Sequence, residues 1–249
     1  MRPHPRSWLA GILLLSSCSV REDRAGCPCR LELDLSGFAA RVSVALWEGP
    51  DSCMAQADGR FIRSVSKGIF DVSAWSGAGR LSGSRLTVPP GGRPDSLRVF
   101  RTRLDCTGET CTAVAVPRRQ FARIVLKVVR DPGSSYPYSF HAESSYCGLD
   151  LRDLRPVRGR LAFPIRRTDE DTFAFDLLRQ GPDTDVRIGV YEDAGRIDEL
   201  PLHEWLRKAG YDWEAEDLSD MTICIDYAHR RFRLLIDGWQ EGDIVVADI

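Results

Sequence analysis

Apolar residues recur at every second position along most of this chain. Leu31, Leu33 and Leu35 share one face of an extended segment, and so do Val42, Val44 and Leu46. Phe173, Phe175 and Leu177 repeat the pattern, as do Val186, Ile188 and Val190, then Phe232, Leu234 and Ile236. A period of two sends alternate side chains to opposite faces of a strand, so each segment has one face to bury. The spacing predicts strands at 30–35 and 41–46, with a turn around Gly37, and further strands at 61–70, 97–104, 172–178, 186–191, 221–227, 232–236 and 243–246. Residues 121–129 are apolar on nearly both faces, as a central strand would be. They follow the polar break Pro117-Arg118-Arg119, which is where a domain boundary is expected.

The stretches 77–83 and 89–94 are rich in Gly and Pro and read as loops. One helix is expected: Leu202, Trp205, Leu206 and Ala209 make a single apolar stripe. Asp198 and Glu199 would favour its positive end, Pro201 suits its first turn, and Gly210 is placed to stop it. Many short strands separated by turn signals predict a mainly β protein of two sandwiches, 27–117 and 118–249, with the short helix in the second.

Composition removes several function classes. Of 249 residues, 43% are hydrophobic and 28% charged, which is globular and not disordered composition. Lys and Arg number 34 against 36 Asp and Glu, so the basic excess of a nucleic-acid binder is missing. No run approaches the roughly 20 apolar residues of a membrane-spanning helix.

The N-terminus carries the most specific signal. Arg2 and Arg6 precede an apolar stretch from Trp8 to Leu15, which has the length of a signal-peptide core. It ends in Leu15-Ser16-Ser17-Cys18, which resembles the lipobox of bacterial lipoproteins. Residues 1–17 are then a signal peptide and 18–26 an acylated tether. The Cys18 thiol is the nucleophile that takes the lipid, and palmitate-like chains would follow. Each buried CH₂ contributes about 0.8 kcal/mol, and two or more chains hold a protein on a bilayer stably. Glu22 and Asp23, inside Arg21-Glu-Asp-Arg24, resemble the surface-export signal of Bacteroidota lipoproteins. The expected location is the cell outer membrane, facing outward.

Of eight cysteines, Cys18 is taken by lipid, so an odd number remains and at least one is free or pairs with another chain. Cys106 and Cys111 flank Thr-Gly-Glu-Thr and are expected to bridge across a hairpin. Cys27 and Cys29 point the same way on a strand and do not bridge each other, though one is within reach of Cys53. Cys224 reads as a buried thiol. A zinc site has no support, because there is no Cys-x-x-Cys and no neighbouring His pair.

No catalytic motif is visible. Asp169-Glu170-Asp171 and the acidic run 214–220 lack calcium-loop spacing and read as solvated loops, not as ligands or a glycosidase pair. His4, His141, His203 and His229 are scattered, and no nucleophile motif or phosphate loop accompanies them. Trp205, Tyr211, Trp213 and Trp239 are the aromatics a sugar site would use, and they read better as packing residues. The expectation is a non-enzymatic protein with no cofactor.

Three blocks together resemble the fimbrillin-associated anchor lipoproteins of Bacteroidota, the subunits that anchor major and minor fimbria. The first is Leu15-Ser-Ser-Cys18 with Arg21-Glu-Asp-Arg24 and Cys27-Pro-Cys29-Arg-Leu-Glu-Leu-Asp-Leu35. The second is Pro201-Leu-His-Glu-Trp-Leu, Gly210-Tyr-Asp-Trp213 and Leu218-Ser-Asp220. The third is Ile225-Asp-Tyr227, Ile236-Asp-Gly-Trp239 and the short ending 243–249. The stretch 73–92 matches poorly. The resemblance implies two tandem transthyretin-like β-sandwiches and a place at the base of a fimbrium, limiting its length. It also implies fimbrillin partners bound by strand addition. The rival expectations are a surface glycan-binding lipoprotein and an accessory or tip subunit. Replacing Cys18 by Ala should move the protein from the detergent phase to the soluble fraction, as checked by membrane fractionation. Replacing Glu22 and Asp23 by Ala should leave it lipidated but shielded from protease applied to whole cells.

Overall fold

The computed structural model describes residues 26–39, 41–47, 51–129, 137–193, 195–226, 231–236 and 245–248. Cys18, Glu22, Asp23, His4, His229 and Trp239 lie outside the described residues. The first half of the chain runs through β1 (Cys29–Asp34), β2 (Val42–Leu46), β3 (Cys53–Ala57), β4 (Arg60–Val65) and β5 (Ile69–Ser76). It continues through β6 (Arg80–Ser82), β7 (Arg85–Thr87), β8 (Arg98–Asp105), β9 (Thr110–Val114) and β10 (Arg118–Arg119). The second half holds β11 (Phe121–Val129), β12 (Ser139–Asp150), β13 (Pro156–Pro164), β14 (Arg166–Asp169) and β15 (Thr172–Leu178). Then come β16 (Arg187–Glu192), β17 (Gly195–Leu200), α1 (Leu202–Lys208), β18 (Met221–Asp226), β19 (Arg231–Ile236) and β20 (Val245–Asp248).

The period-two segments form the sheets, and their apolar faces meet. A three-stranded sheet, β4-β1-β9, shares one core with a five-stranded sheet, β10-β8-β5-β2-β3. Leu31, Leu33 and Leu35 pack there with Val42, Val44, Phe70 and Val72. A second core lies between β14-β15-β11-β18-β19-β20 and β17-β16-β12-β7-β6, with β13 also paired to β12. Two sandwiches are therefore present, as the alternation predicts.

Several local expectations are corrected. The segment 61–70 is two strands, not one, because Ser66-Lys67-Gly68 turns the chain between β4 and β5. β11 is central, with β15 antiparallel on one side and β18 parallel on the other. Only one of its faces is buried, however: Ile124 and Leu126 are inside while Arg123, Lys127 and Val129 are exposed. The helix is where the apolar stripe places it, with Leu202, Trp205 and Leu206 buried. Gly210, at φ 69°, takes the left-handed conformation that ends it. Asp198 and Glu199 belong to β17, and the acid in the first turn of the helix is Glu204.

The expected loop 77–83 is the largest departure. β6 and β7 make a hairpin with a two-residue turn, and Gly83 supplies the positive φ of 59° that such turns need. This hairpin does not join the first sandwich. It pairs antiparallel to β12, with Leu86 opposite Leu149. Leu86, Val88, Leu97 and Val99 are buried in the second core, together with Ala45 and Trp75. The break at 117–119 thus marks a change of sheet, while residues before it help to build the core beyond it. β5 is buried on both faces as a result, and its Ser73 hydroxyl donates to the Leu151 carbonyl at 2.6 Å and accepts from the Trp47 indole at 2.8 Å.

A fragment starting at residue 118 should accordingly unfold at lower urea concentration than one starting at residue 77. Equal midpoints by circular dichroism would show that the crossing hairpin adds nothing to the second core.

Candidate functional site

Where the two halves meet, the chain leaves a cleft of about 1130 Å³. One wall comes from the start of β8 (Val99 to Arg101) and from Val116, Arg118 and Gln120 at the crossing between sandwiches. The other comes from the turn after β12, the segment after β15, the outer face of α1 and the segment 211–216.

Its floor is organised by Arg179. This side chain is only 8% exposed, and its guanidinium donates to the Gln120 side-chain oxygen at 2.8 Å, to the Ala215 carbonyl at 2.7 Å and to the Trp213 carbonyl. Burial pushes its pKa down, and the charges of Tyr211, Asp212 and Asp217 oppose that shift. Gln120 is itself 1% exposed, and its backbone is tied to Leu97 and Arg179. One buried cation therefore fastens the crossing segment, the end of β15 and the segment 211–216 together.

The acidic run 214–220, expected as a solvated loop, clamps this same crossing. Asp217 accepts from the Arg119 amide at 2.6 Å and from the Arg118 guanidinium at 3.1 Å. Glu216 pairs with Arg118 at 2.8 Å. Asp220 accepts from the Arg123 amide at 2.8 Å and pairs with the Arg119 guanidinium. Burial would raise the Asp217 carboxyl, but the Arg119 amide and the Arg118 side chain outweigh it and hold the pKa low. Asp169, Glu170 and Asp171 lie at the turn between β14 and β15, remote from the cleft in the fold. Among the described residues no group of three or more His, Cys, Asp or Glu is arranged to hold a metal ion.

At the opposite rim, Tyr146 donates its hydroxyl to Asp183, which also pairs with Arg158. That hydrogen bond from Tyr146 is the main reason the Asp183 carboxyl titrates low. Leu154 stands on this rim with φ at 62°, a backbone state that costs of order 1 kcal/mol outside glycine. Of the aromatics singled out in the sequence, Trp205 and Trp213 are buried in the second core. Tyr211 packs edge-on against Trp213, with ring centroids 4.7 Å apart, and donates to the Ser219 carbonyl at 2.7 Å. His203 holds the Val186 carbonyl at 3.2 Å, and His141 stacks on Tyr191.

The cleft opens at Val116 toward the second feature, the free edge of β9. Among the described residues this strand pairs only with β1, in parallel. Arg30 donates to the Glu109 carbonyl and Ala115 donates to the Asp34 carbonyl, each at 2.8 Å. Odd-numbered residues therefore bond β1, and Thr110, Thr112 and Val114 turn their amides and carbonyls to the open side. No charge occurs from Thr110 to Val116, and Val114 and Val116 are 64% and 57% exposed. Other outer strands are protected by charge: Arg60 and Arg63 on β4, Arg118 and Arg119 on β10, Arg166 and Arg167 on β14, and Arg196, Asp198 and Glu199 on β17. β3 also lacks charge, but its inward residues Cys53, Ala55 and Ala57 are small and half-buried, and it turns at once into β4.

The cysteine expectations meet a different geometry. Cys106 and Cys111 do not flank a hairpin, because β8 and β9 belong to different sheets and the segment between them crosses the sandwich. Both are buried thiols in the structure. Cys224 is half-buried, not buried, and Cys27 is exposed. Sequence reasoning missed Arg179 and Gln120. The only signal was two polar residues placed directly against apolar strands, Gln120 before Phe121 and Arg179 after Leu178.

No protein-family model matches the chain, and no curated protein matches it. Solved structures do share its fold. A candidate polysaccharide-binding protein from Bacteroides thetaiotaomicron superposes with a TM-score of 0.61 at 14% identity, covering 89% of this chain and 98% of that one. The fimbrial anchor protein Mfa2 from Porphyromonas gingivalis gives 0.58 at 12% identity, over 86% and 98% of the two chains. A candidate adhesin from Bacteroides ovatus gives 0.56 at 11% identity, over 92% and 97%. The chain is thus a mainly β protein with the sandwich fold of these proteins.

Replacing Arg179 by Leu should destabilise the protein by about 3 kcal/mol, since it strands three buried acceptors. Urea unfolding checks this. Asp217 has a lowered pKa, so its contribution is full at neutral pH, starts to fall near the ordinary carboxylate value of about 4 and is lost below it, as pH falls through the lowered folded-state value. At 44% exposure that contribution is small, and Asp217→Asn should flatten only part of the acid limb of stability.

Proposed function

We propose that this chain is a non-enzymatic outer-membrane lipoprotein that anchors a fimbrium and limits its length. Cys18 carries the lipid, Glu22 and Asp23 direct the protein to the cell surface, and a fimbrillin subunit adds a strand to β9. The observation that carries the reading is that edge: a paired strand with one side open, free of charge over seven residues and lined outward by Thr110, Thr112, Val114 and Val116. An added strand there would take main-chain hydrogen bonds from Thr110, Thr112 and Val114, each of net value about 1 kcal/mol, and its side chains would set register. The fold shared with Mfa2, whose name describes a fimbrial anchor protein, supports the same reading. The glycan-binding alternative is weakened by the burial of Trp205 and Trp213, which leaves them unable to act as stacking platforms.

The free edge gives a selective test. The Thr112 amide points away from β1, so Thr112→Pro removes an outward donor while leaving the β1 ladder intact. It should weaken capture of fimbrillin at least tenfold in a pull-down while urea stability is kept, and Val114→Lys should do the same by charging the edge. Deleting the protein should shed fimbriae into the medium or give longer, loosely held ones, visible by electron microscopy. Firmly attached fimbriae of ordinary length in the deletion strain would overturn the anchor reading and leave an accessory or tip subunit. Unchanged capture by both edge variants would overturn β9 as the acceptor.

A further inference from the structure

Three thiols converge at one end of the first core. Cys29 opens β1 and Cys111 lies on β9, in a parallel register that sets Leu31 opposite Cys111. Cys29, Leu31 and Cys111 all face inward, so the two cysteines are diagonal neighbours on adjacent strands. Cys106 follows β8 in the other sheet, where its amide donates to the Gly68 carbonyl at 2.7 Å. The chain crosses the sandwich directly after it, and the Cys106 side chain enters the same buried cluster as Cys29 and Cys111, with both as neighbours. All three are buried in one cluster, with Cys29 and Cys106 at 0% exposure and Cys111 at 8%. Their arrangement is not that of a metal site. Cys53 is on the distant edge strand β3, and Cys27 faces solvent.

We propose that Cys29, Cys106 and Cys111 form one exchangeable disulfide site in which Cys106 is the obligate member and Cys29 and Cys111 are its alternative partners. An oxidant of the disulfide class, such as glutathione disulfide, completes the chemistry. The Cys111 thiolate, the least buried, attacks the oxidant, whose S–S bond breaks to release one glutathione thiolate. Cys106 attacks the Cys111 sulfur, forms Cys106–Cys111 and expels the second glutathione, whose sulfur takes the Cys106 proton. Two protein thiols are oxidised and one disulfide is reduced to two thiols. The Cys29 thiolate then attacks the Cys106 sulfur, forms Cys29–Cys106 and releases the Cys111 thiolate, with no net oxidation. Diagonal neighbours on adjacent strands stand about 7 Å apart, beyond the roughly 4.5 Å between Cβ atoms that a disulfide spans, so Cys29 and Cys111 do not bond each other and each pairs through Cys106. The Cys106–Cys111 bond closes only a short crossover. The Cys29–Cys106 bond ties β1, the strand that follows the tether, to the opposite sheet. The value of that link under load rests on the anchor reading, while the bonding pattern does not.

The test is oxidation of the purified chain from Cys18 onward in a glutathione redox buffer, followed by disulfide mapping of unreduced peptides by mass spectrometry. Wild type should yield both the Cys106–Cys111 and the Cys29–Cys106 peptides. C111A should yield only Cys29–Cys106, C29A only Cys106–Cys111, and C106A no bond between Cys29 and Cys111. Circular dichroism and the urea midpoint show whether each variant keeps its fold. A Cys29–Cys111 bond in folded C106A overturns the proposal, and so does an absence of any bond at Cys106 in folded C111A. Should the variants fail to fold, wild type alone decides, since finding only one of the two peptides overturns the exchange. Fully reduced thiols in protein taken from cells, together with both bonds after oxidation in the buffer, would support the site and count against surface export.

Discussion

The contact between Arg179 and Gln120 is the one on which the arrangement of the two halves depends. A guanidinium with nine-tenths of its surface removed from water must have every donor matched, and Arg179 finds its acceptors on Gln120, Trp213 and Ala215 instead of on a carboxylate. Those acceptors belong to two separate stretches of chain, and Arg179 itself stands on a third. Satisfying one buried charge therefore fixes where the crossing segment, the end of β15 and the segment 211–216 lie relative to each other. The outer shell of Asp217, Glu216 and Asp220 around Arg118 and Arg119 repeats the same connection in water, where each pair contributes less.

The hairpin of β6 and β7 couples the halves in a different way, through apolar burial. Leu86, Val88, Leu97 and Val99, all from the first half, help to complete the core of the second sandwich, so that core does not close on residues from one half alone. Burial of four such side chains is worth about 1.5 to 3 kcal/mol each before entropy is charged against it. The polar node of Arg179 and Gln120 lies on the floor of the cleft. Its rims are polar and internally paired, as at Tyr146, Asp183 and Arg158, and its width is set by rigid strands.

In the three-stranded sheet, charge protects the β4 edge and not the β9 edge. Arginine and acidic residues occupy most outer strands, and like charge or a desolvation cost discourages pairing there. From Thr110 to Val116 that protection is missing, while β-branched side chains offer a surface suited to another strand. The same strand carries Cys111, one of the three thiols gathered against Cys106. The proposed acceptor edge and the proposed disulfide site thus share a strand whose position depends on β1.

The sequence by itself determined the mainly β class, the inward residues of the principal strands, the short helix and the stop at Gly210, because each follows from a period or a backbone preference acting within a few residues. It also carries Leu15-Ser16-Ser17-Cys18, a run that resembles a lipobox and can be read without a fold. β12, with His141, Glu143 and Ser145 between its buried residues, did not stand out, since its apolar faces are completed by Gly148 and the small residues Ala142 and Ser144. The hairpin at 80–87 read as a loop because its short polar strands are held by β12, about sixty positions further along the chain. Arg179 looked like an ordinary surface arginine until Gln120 and two distant carbonyls surrounded it. The three thiols are likewise separate in sequence, and only the parallel β1–β9 register and the crossover after β8 bring their sulfurs together. Local patterns specify which face of a strand is apolar. Which faces, edges and buried charges meet is decided by long-range pairing, where the free energy of burial outweighs local preference.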